Sequence, residues 1–368
     1  MSTDMLPFLL VASDLDGTLF DNNCQISDYS KRVIFRLYHE KNVKLVMATG
    51  RHWRCVEAAK NSLVEYFKRA YAELESTKEG ETIPEKHHGF YVISSNGALA
   101  HDDEGRVLVE RHINPDIVKE LYCSYGLPNT GLKRKQKQTD NEKECGLPSS
   151  PDSSSGNGEN KFGEPQANAT NVDVGGLNED PDEFSLEKVR VSAYTAKEWF
   201  LTSRFLPEEM MMKKFGYIPI IMEFDPKDPR NDGKSVHDLL PSEGVNKICF
   251  RSKDRALLST IEQELHERFG DQISVAFSSN FCLDVGPSGV TKFSALHEIA
   301  NHLHIDVKRI LSFGDSMNDK EMLENVAKGF LMDNAQLRLK KLLPQCTVIG
   351  HNNDDSVAKK IEEVFNLV

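Results

Sequence analysis

The chain has 368 residues, 39% of them hydrophobic. That is enough for two domains, or three, and for a core that needs no disulfide or metal staple. With 45 basic against 57 acidic residues the formal charge is −12, which argues against a nucleic-acid binder, since such affinity rests on clustered Lys and Arg. Seven cysteines without CxxC spacing, no apolar run of the ~18 residues a membrane span needs, and no signal-peptide pattern lead to the expectation of a soluble, cytoplasmic protein with reduced thiols and no membrane partner.

In chain order, Phe8 to Ser13 is a continuous apolar run of the kind that forms a strand buried on both faces. Ser27 can cap a helix reaching to about Lys41, with Val33, Ile34 and Leu37 inward. Val43 to Ala48 reads as a second buried strand, His52 to about Arg69 as a helix, and Phe90 to Ser94 as a third strand. This alternation predicts a parallel sheet with helices on both faces. The middle, from about Ala98 to Asp284, alternates differently. A hairpin over His101–Ile113 turns at Asp103-Glu104-Gly105. Strands are expected at Lys188–Tyr194, Ile218–Phe224, Lys247–Arg251 and Ile273–Ala276, with helices at Ala196–Phe205 and Asp254–Phe269. That is an α+β module inserted into the first fold. Within it, residues 133–183 carry only five large apolar residues, with six basic and eleven acidic ones, a composition expected to be disordered. The C-terminal part returns to the first pattern. Helices are expected at Thr291–His304, Asp319–Ala327 and Val357–Phe365, and strands at Arg309–Phe313, Gly329–Met332 and Thr347–Ile349.

Chemistry gathers at the predicted strand ends. Asp14-Leu15-Asp16-Gly17-Thr18 follows the first strand, and in open α/β sheets that edge binds ligands. One carboxylate can attack phosphorus, its neighbour can shuttle a proton, and both can help hold Mg²⁺. The same residues also suit a solvated turn or a helix cap. Thr49-Gly50-Arg51 offers a hydroxyl and a free N–H to an anion, or simply a cap. Lys292 opens a helix after Gly286-Pro287-Ser288-Gly289 and can neutralise both a phosphate and an Asp. Gly314-Asp315-Ser316-Met317-Asn318-Asp319 is a second acidic loop: Asp315 can complete a metal site, Asn318 can donate to phosphate, and Asp319 can orient Lys292. Asn96-Gly97 reads as a turn or as a substrate-facing amide, Met210–Met212 as core packing. No zinc-type His spacing is present.

Taken together, Asp14 to Leu19, Ala48 to Arg51, Ser95 to Ala98, Gly289 to Lys292 and Gly314 to Asp319 resemble the haloacid dehalogenase-like superfamily, specifically its Cof-type sugar-phosphatase branch. Met332 to Ala335 is similar to that branch's loop after the fourth motif. The resemblance implies an α/β fold with a Rossmann-like parallel sheet core, residues 1–97 and 285–368, and an inserted α+β cap domain, residues 98–284. It implies a Mg²⁺-dependent phosphatase of small phosphorylated metabolites. Asp14 is then nucleophile and metal ligand; Asp16 is general acid and base, and binds metal through its backbone carbonyl. Leu15, Thr49, Gly50, Lys292 and Asn318 hold the phosphoryl group, and Asp315 completes the metal ligands. Phe293 stands where the branch usually has Gly, and Arg51 matches the branch without an assigned role. A phosphomutase, or a phosphate-binding or interaction protein without catalysis, are the alternatives.

Overall fold

The computed structural model describes residues 8–77, 89–125, 189–222, 229 and 236–367. The stretch 133–183 expected to be disordered lies outside the described residues. The elements in chain order are β1 (Leu10–Ser13), α1 (Asp28–Lys41), β2 (Lys44–Ala48), α2 (Arg54–Thr77), β3 (Phe90–Ser94), β4 (Leu99–His101), β5 (Val107–Glu110) and α3 (Pro115–Tyr125). There follow β6 (Arg190–Thr195), β7 (Trp199–Leu201), α4 (Glu208–Phe215), β8 (Ile220–Ile221), β9 (Val245–Arg251), α5 (Arg255–Phe269), β10 (Ile273–Ser279) and β11 (Cys282–Pro287). The chain closes with α6 (Lys292–His302), β12 (Ile310–Gly314), α7 (Lys320–Glu324), β13 (Lys328–Leu331), α8 (Leu337–Leu342), β14 (Thr347–Val348) and α9 (Ser356–Phe365).

The strands form two sheets. The first has the order β14-β13-β12-β1-β2-β3-β4-β5. It is parallel from β14 to β3 and antiparallel beyond. Its central strands β12, β1, β2 and β3 are buried almost throughout because both faces are covered. Val11, Leu45, Met47 and Phe313 pack with α1, α2 and α9 on one side. Leu10, Ala12, Val46 and Ile310 pack with Ala295, Leu296 and Ile299 of α6 on the other. Ser27 caps α1, accepting from the Ser30 N–H at 3.0 Å, as its position predicts.

The second sheet has the order β10-β11-β9-β6-β7-β8 and is antiparallel except between β7 and β8. One face carries α3 and α5, through Val118, Leu121, Leu258 and Leu265. The other carries α4, with Met211 buried among Tyr194, Trp199, Leu201 and Phe205, and Cys55 of α2 joining from the first unit. Met212, next along, is exposed, so only part of the methionine run packs.

Several expectations are corrected. Ala196–Phe205 is not a helix: β6 and β7 form a hairpin. Its turn is set by Thr195, whose hydroxyl accepts from the Lys197 and Glu198 N–H groups at 3.3 and 3.0 Å. Trp199 and Leu201 are buried with Phe200 between them less so, the period-two pattern of a strand. The Leu99–Glu110 hairpin, expected in the inserted module, pairs with β3 at the edge of the first sheet. Asp319–Ala327 is helical only over Lys320–Glu324, after a tight turn at Met317–Asp319. Helix α2 runs on past Arg69 to Thr77, because Tyr71 keeps the buried face going.

Candidate active site

Asp14, Gly50 and Asp315 each directly follow or nearly follow the C-terminal ends of β1, β2 and β12, three parallel strands lying side by side. Side chains from separate parts of the chain therefore meet above one sheet edge. After Asp14 the chain turns sharply: the Leu19 N–H reaches the Asp14 carbonyl at 3.2 Å. Gly17 adopts φ +73°, and a Cβ there would come within 2.8 Å of Asp315 Oδ2. Glycine keeps the space between the two acidic loops open, and its left-handed backbone makes the turn possible. The Asn334 amide donates to the Gly17 carbonyl at 2.7 Å, fixing that turn.

Lys292 is the first residue of α6, whose start is capped by Thr291 accepting from the Ser294 N–H at 3.1 Å. The ammonium is buried and bridges two carboxylates, 2.6 Å from Asp14 Oδ1 and 2.6 Å from Asp319 Oδ1. Asp319 is held from its other side, Oδ2 accepting from the Asp315 and Ser316 N–H groups at 3.0 Å each. Asp315 takes the Thr18 hydroxyl at 3.3 Å and that of Ser316 at 3.2 Å. Carboxylate oxygens of Asp14, Asp315 and Asp319 all lie within 4.8 Å of one another.

Burial sets the electrostatics here. It pushes the Asp14 carboxyl up to about 7, although Lys292 pulls the other way. Asp315 is raised well above the carboxylate range by burial and by the charges of Asp14 and Asp319. Burial opposes the charge of Lys292, but Asp14 and Asp319 outweigh it and the ammonium is held more firmly than usual. One lysine against three acids leaves this pocket short of positive charge.

Asp16 faces elsewhere. Arg51 clamps its carboxylate with two bonds, Nε at 2.6 Å and Nη2 at 2.5 Å. Loss of water around the Asp16 carboxyl acts to raise it, although the side chain is half exposed, and the Arg51 guanidinium overrides this and holds it below its usual range. Arg51 also donates to the Lys214 carbonyl at 3.0 Å and lies between the rings of Phe20 and Phe215, 5.3 Å from each. The residue left without a role by the sequence thus joins the general-acid candidate to α4 of the second unit.

The structure brings Asp14, Lys292, Asp315 and Asp319 into one cluster and sets Asn318 beside Asn96, at 2.9 Å. Thr49 is buried, its hydroxyl accepting from the Arg51 N–H at 3.1 Å. Phe293 does not enter the cluster; it stacks on His297 and packs on the α6 side of the sheet. Sequence reading missed Lys247 and Asp284, buried charges in the second sheet that reach the first. Their signal was a lone charge inside each of two apolar strand runs. The next three residues after Arg51 dock on the β6–β7 turn. His52 Nε2, Trp53 Nε1 and Arg54 Nε bond to the carbonyls of Thr195, Ala196 and Lys197 at 2.9, 2.7 and 2.8 Å.

Comparison with known proteins bears on the family and the fold. The model of the haloacid dehalogenase-like hydrolases matches residues 11–125 and 181–361. A Buchnera aphidicola protein carrying a provisional phosphatase name is 26% identical over 358 residues, 97% of this chain and 98% of that one. The HMP-PP phosphatase of Serratia proteamaculans is 41% identical over 123 residues, 33% of this chain and 44% of its own. A haloacid dehalogenase-like hydrolase from Bacteroides thetaiotaomicron shares the fold, with TM-score 0.58 at 19% identity, over 97% of this chain and 100% of that one. The family model places the chain among hydrolases, and the relatives named above carry phosphatase names. The chain belongs to the haloacid dehalogenase-like hydrolase family.

Proposed function

We propose that the protein is a Mg²⁺-dependent phosphatase of small phosphorylated metabolites, acting through an aspartyl-phosphate on Asp14 beneath a cap formed by the second sheet and its helices. The observation that carries this reading is the buried Lys292 ammonium shared by Asp14 and Asp319 at 2.6 Å, with Asp315 alongside. A buried carboxylate so placed is a nucleophile whose attack on phosphorus Lys292 can steady.

The donor set fits magnesium. It is all oxygen, it carries more negative than positive charge, and Gly17 leaves room where a side chain would press on Asp315. Asp14, Asp315 and the Asp16 backbone carbonyl are the ligands we assign. When bound, the ion supplies charge neutralisation for the carboxylates and for the phosphoryl oxygens. The Leu15 and Gly50 N–H groups, Thr49, Lys292 and Asn318 receive the phosphoryl group. Asp16 hands a proton to the departing oxygen, then takes one from the water that hydrolyses the intermediate. Arg51 holds that carboxyl group in place through two bonds.

The test is a panel of phosphorylated sugars, nucleotides and pyridoxal phosphate, incubated with Mg²⁺ while free phosphate and isomerised ester are followed separately. Release of phosphate without an isomer supports a phosphatase. An isomerised ester without net phosphate makes the protein a mutase, and no reaction on any member removes the proposal.

A further inference from the structure

Asp284 of β11 and Lys247 of β9 lie on one face of the second sheet, Asp284 standing opposite Cys249. Both side chains are almost fully buried, at 2% and 3% exposure. A buried ion pair returns little stability for its desolvation, so its further partners are informative. The Lys247 ammonium sits 3.0 Å from Asp284 Oδ2 and donates to the Gly50 carbonyl at 2.5 Å. Asp284 Oδ2 also accepts from Asn96 Nδ2 at 2.8 Å. Both partners belong to the first unit, in loops that close on the site.

We infer that Lys247, Asp284 and Asn96 form a relay that sets the orientation of the Asn318 amide toward the phosphoryl group; the inference rests on the phosphatase reading of this site. A carboxylate only accepts, so the Asn96 amide must turn its nitrogen to Asp284 and its oxygen the other way. That oxygen takes Asn318 Nδ2 at 2.9 Å, and the Asn318 amide is oriented in turn. One of its two N–H bonds is used and the second remains for a phosphoryl oxygen. Among the described residues its carbonyl oxygen is buried without a partner, which is the cost of holding the amide this way round. Reversed, Asn318 would aim that oxygen at phosphate oxygens and repel them.

Two backbone features belong to the relay. Ser95 and Asn96 follow one another at φ 49° and 56°, an uncommon pair outside glycine, which turns the Asn96 side chain between its partners. Gly50 lies against Asn96, Asp284 and Asn318. A Cβ there would come within 2.8 Å of Asn96 Oδ1, 3.3 Å of Asp284 Oδ2 and 3.5 Å of Asn318 Nδ2. The relay therefore runs directly past the backbone that is assigned to bind phosphate. Lys247, Asp284 and Asn96 are positioning residues: they act on the reaction through Asn318 and Gly50, and they make a core phosphate site depend on the second sheet.

The experiment uses the full chain with Mg²⁺ and two probes, inorganic phosphate by calorimetry and p-nitrophenyl phosphate for turnover. Asn96→Gly removes the amide while suiting the positive φ. It is expected to weaken phosphate about tenfold and to raise KM by a similar factor, with kcat less affected, because one oriented hydrogen bond is lost. Its melting temperature should stay within a few degrees of wild type. Asp284→Asn keeps an acceptor beneath Lys247 and is expected to retain phosphate affinity within about threefold; Asp284→Ala does not and should resemble Asn96→Gly. Unchanged phosphate affinity and KM in Asn96→Gly overturn the relay and leave the phosphatase reading standing. A tenfold loss of phosphate affinity, in a protein that turns over no phosphate ester, supports the relay and removes that reading. Equal losses in Asp284→Asn and Asp284→Ala, tracking a fall in melting temperature, would make the pair merely structural and also overturn it.

Discussion

Asp14 and Asp16 stand two positions apart and answer to different cations, Lys292 for the first and Arg51 for the second. Substituting them should fail in different ways. Asp14→Asn removes the attacking oxygen, so no phospho-enzyme forms on any substrate. Asp16→Asn leaves the nucleophile in place and removes the proton shuttle. An aryl phosphate, with its good leaving group, should still phosphorylate that variant, and the intermediate should persist because water is not activated. Rapid quench followed by mass spectrometry separates the two, and turnover by Asp14→Asn would exclude covalent catalysis through it. Asp315 makes a third residue-scale test. Burial and the charges of Asp14 and Asp319 disfavour its ionised form, so Asp315→Ala should unfold no earlier than wild type in EDTA. Millimolar Mg²⁺ should stabilise the wild type, by about 2.7 kcal/mol at a hundredfold excess over Kd, and the variant far less. Thermal unfolding of both proteins with and without metal gives the answer, and an equal Mg²⁺ response removes Asp315 from the ligand set.

At the scale of elements, the start of α2 docks the two units through His52, Trp53 and Arg54. His52 is buried and its imidazole is lowered from 6.5 to about 4, chiefly by burial; the Thr195 carbonyl acts the other way and Arg54 reinforces the shift. Above pH 6.5 neither folded nor unfolded chain is protonated here. As pH falls from 6.5 to 4 the unfolded chain takes a proton that the folded one refuses, so stability falls with pH. This single site should cost about 2 kcal/mol between pH 7.5 and pH 5. His52→Phe keeps a ring against Tyr217, stacked here at 6.0 Å, and abolishes that proton uptake. Urea unfolding at the two pH values should show a smaller pH loss in the variant; identical losses would mean that His52 is protonated in the fold. The elements also mark where sequence is readable. Buried strands such as β2, with Leu45–Ala48, announce themselves as unbroken apolar runs, and Ser27 announces its helix by a local hydrogen bond. The β6–β7 hairpin did not, because Trp199–Leu201 is too short for its period to show against the helix-compatible residues around it. The acids and lysine of the cluster were legible since each sits in a short motif at a strand end. Lys247 and Asp284 were not, because their meeting depends on the pairing of β9 with β11, which no local pattern encodes.

At the scale of the whole molecule, the first sheet is completed only by returning chain. Central strand β1 is flanked by β2 and by β12, with Leu10 opposite Ile310. A fragment ending at Gly286 retains β1, β2 and β3 but leaves one side of β1 unpaired, and it lacks Lys292 and α6, which covers one face. It should be largely insoluble on expression, as an exposed apolar edge pairs with other chains. A soluble, monomeric fragment with a cooperative melting transition would show that the first sheet does not need its C-terminal half.

The same pairing has a meaning for a chain still being made. A ribosome adding about 5–20 residues per second needs roughly 15–60 seconds to pass from β1 to β12. For most of that interval Asp14 and Asp16 have been made, while Lys292, Asp315 and Asp319 have not. The nascent protein can gather the elements of its second sheet early, yet it cannot bring Asp14, Lys292, Asp315 and Asp319 together until β12 and the loop after it leave the exit tunnel. The cluster is thereby confined to chains translated past Asp319: a product of termination before Lys292 carries Asp14 but lacks the lysine and acids that meet it in the fold.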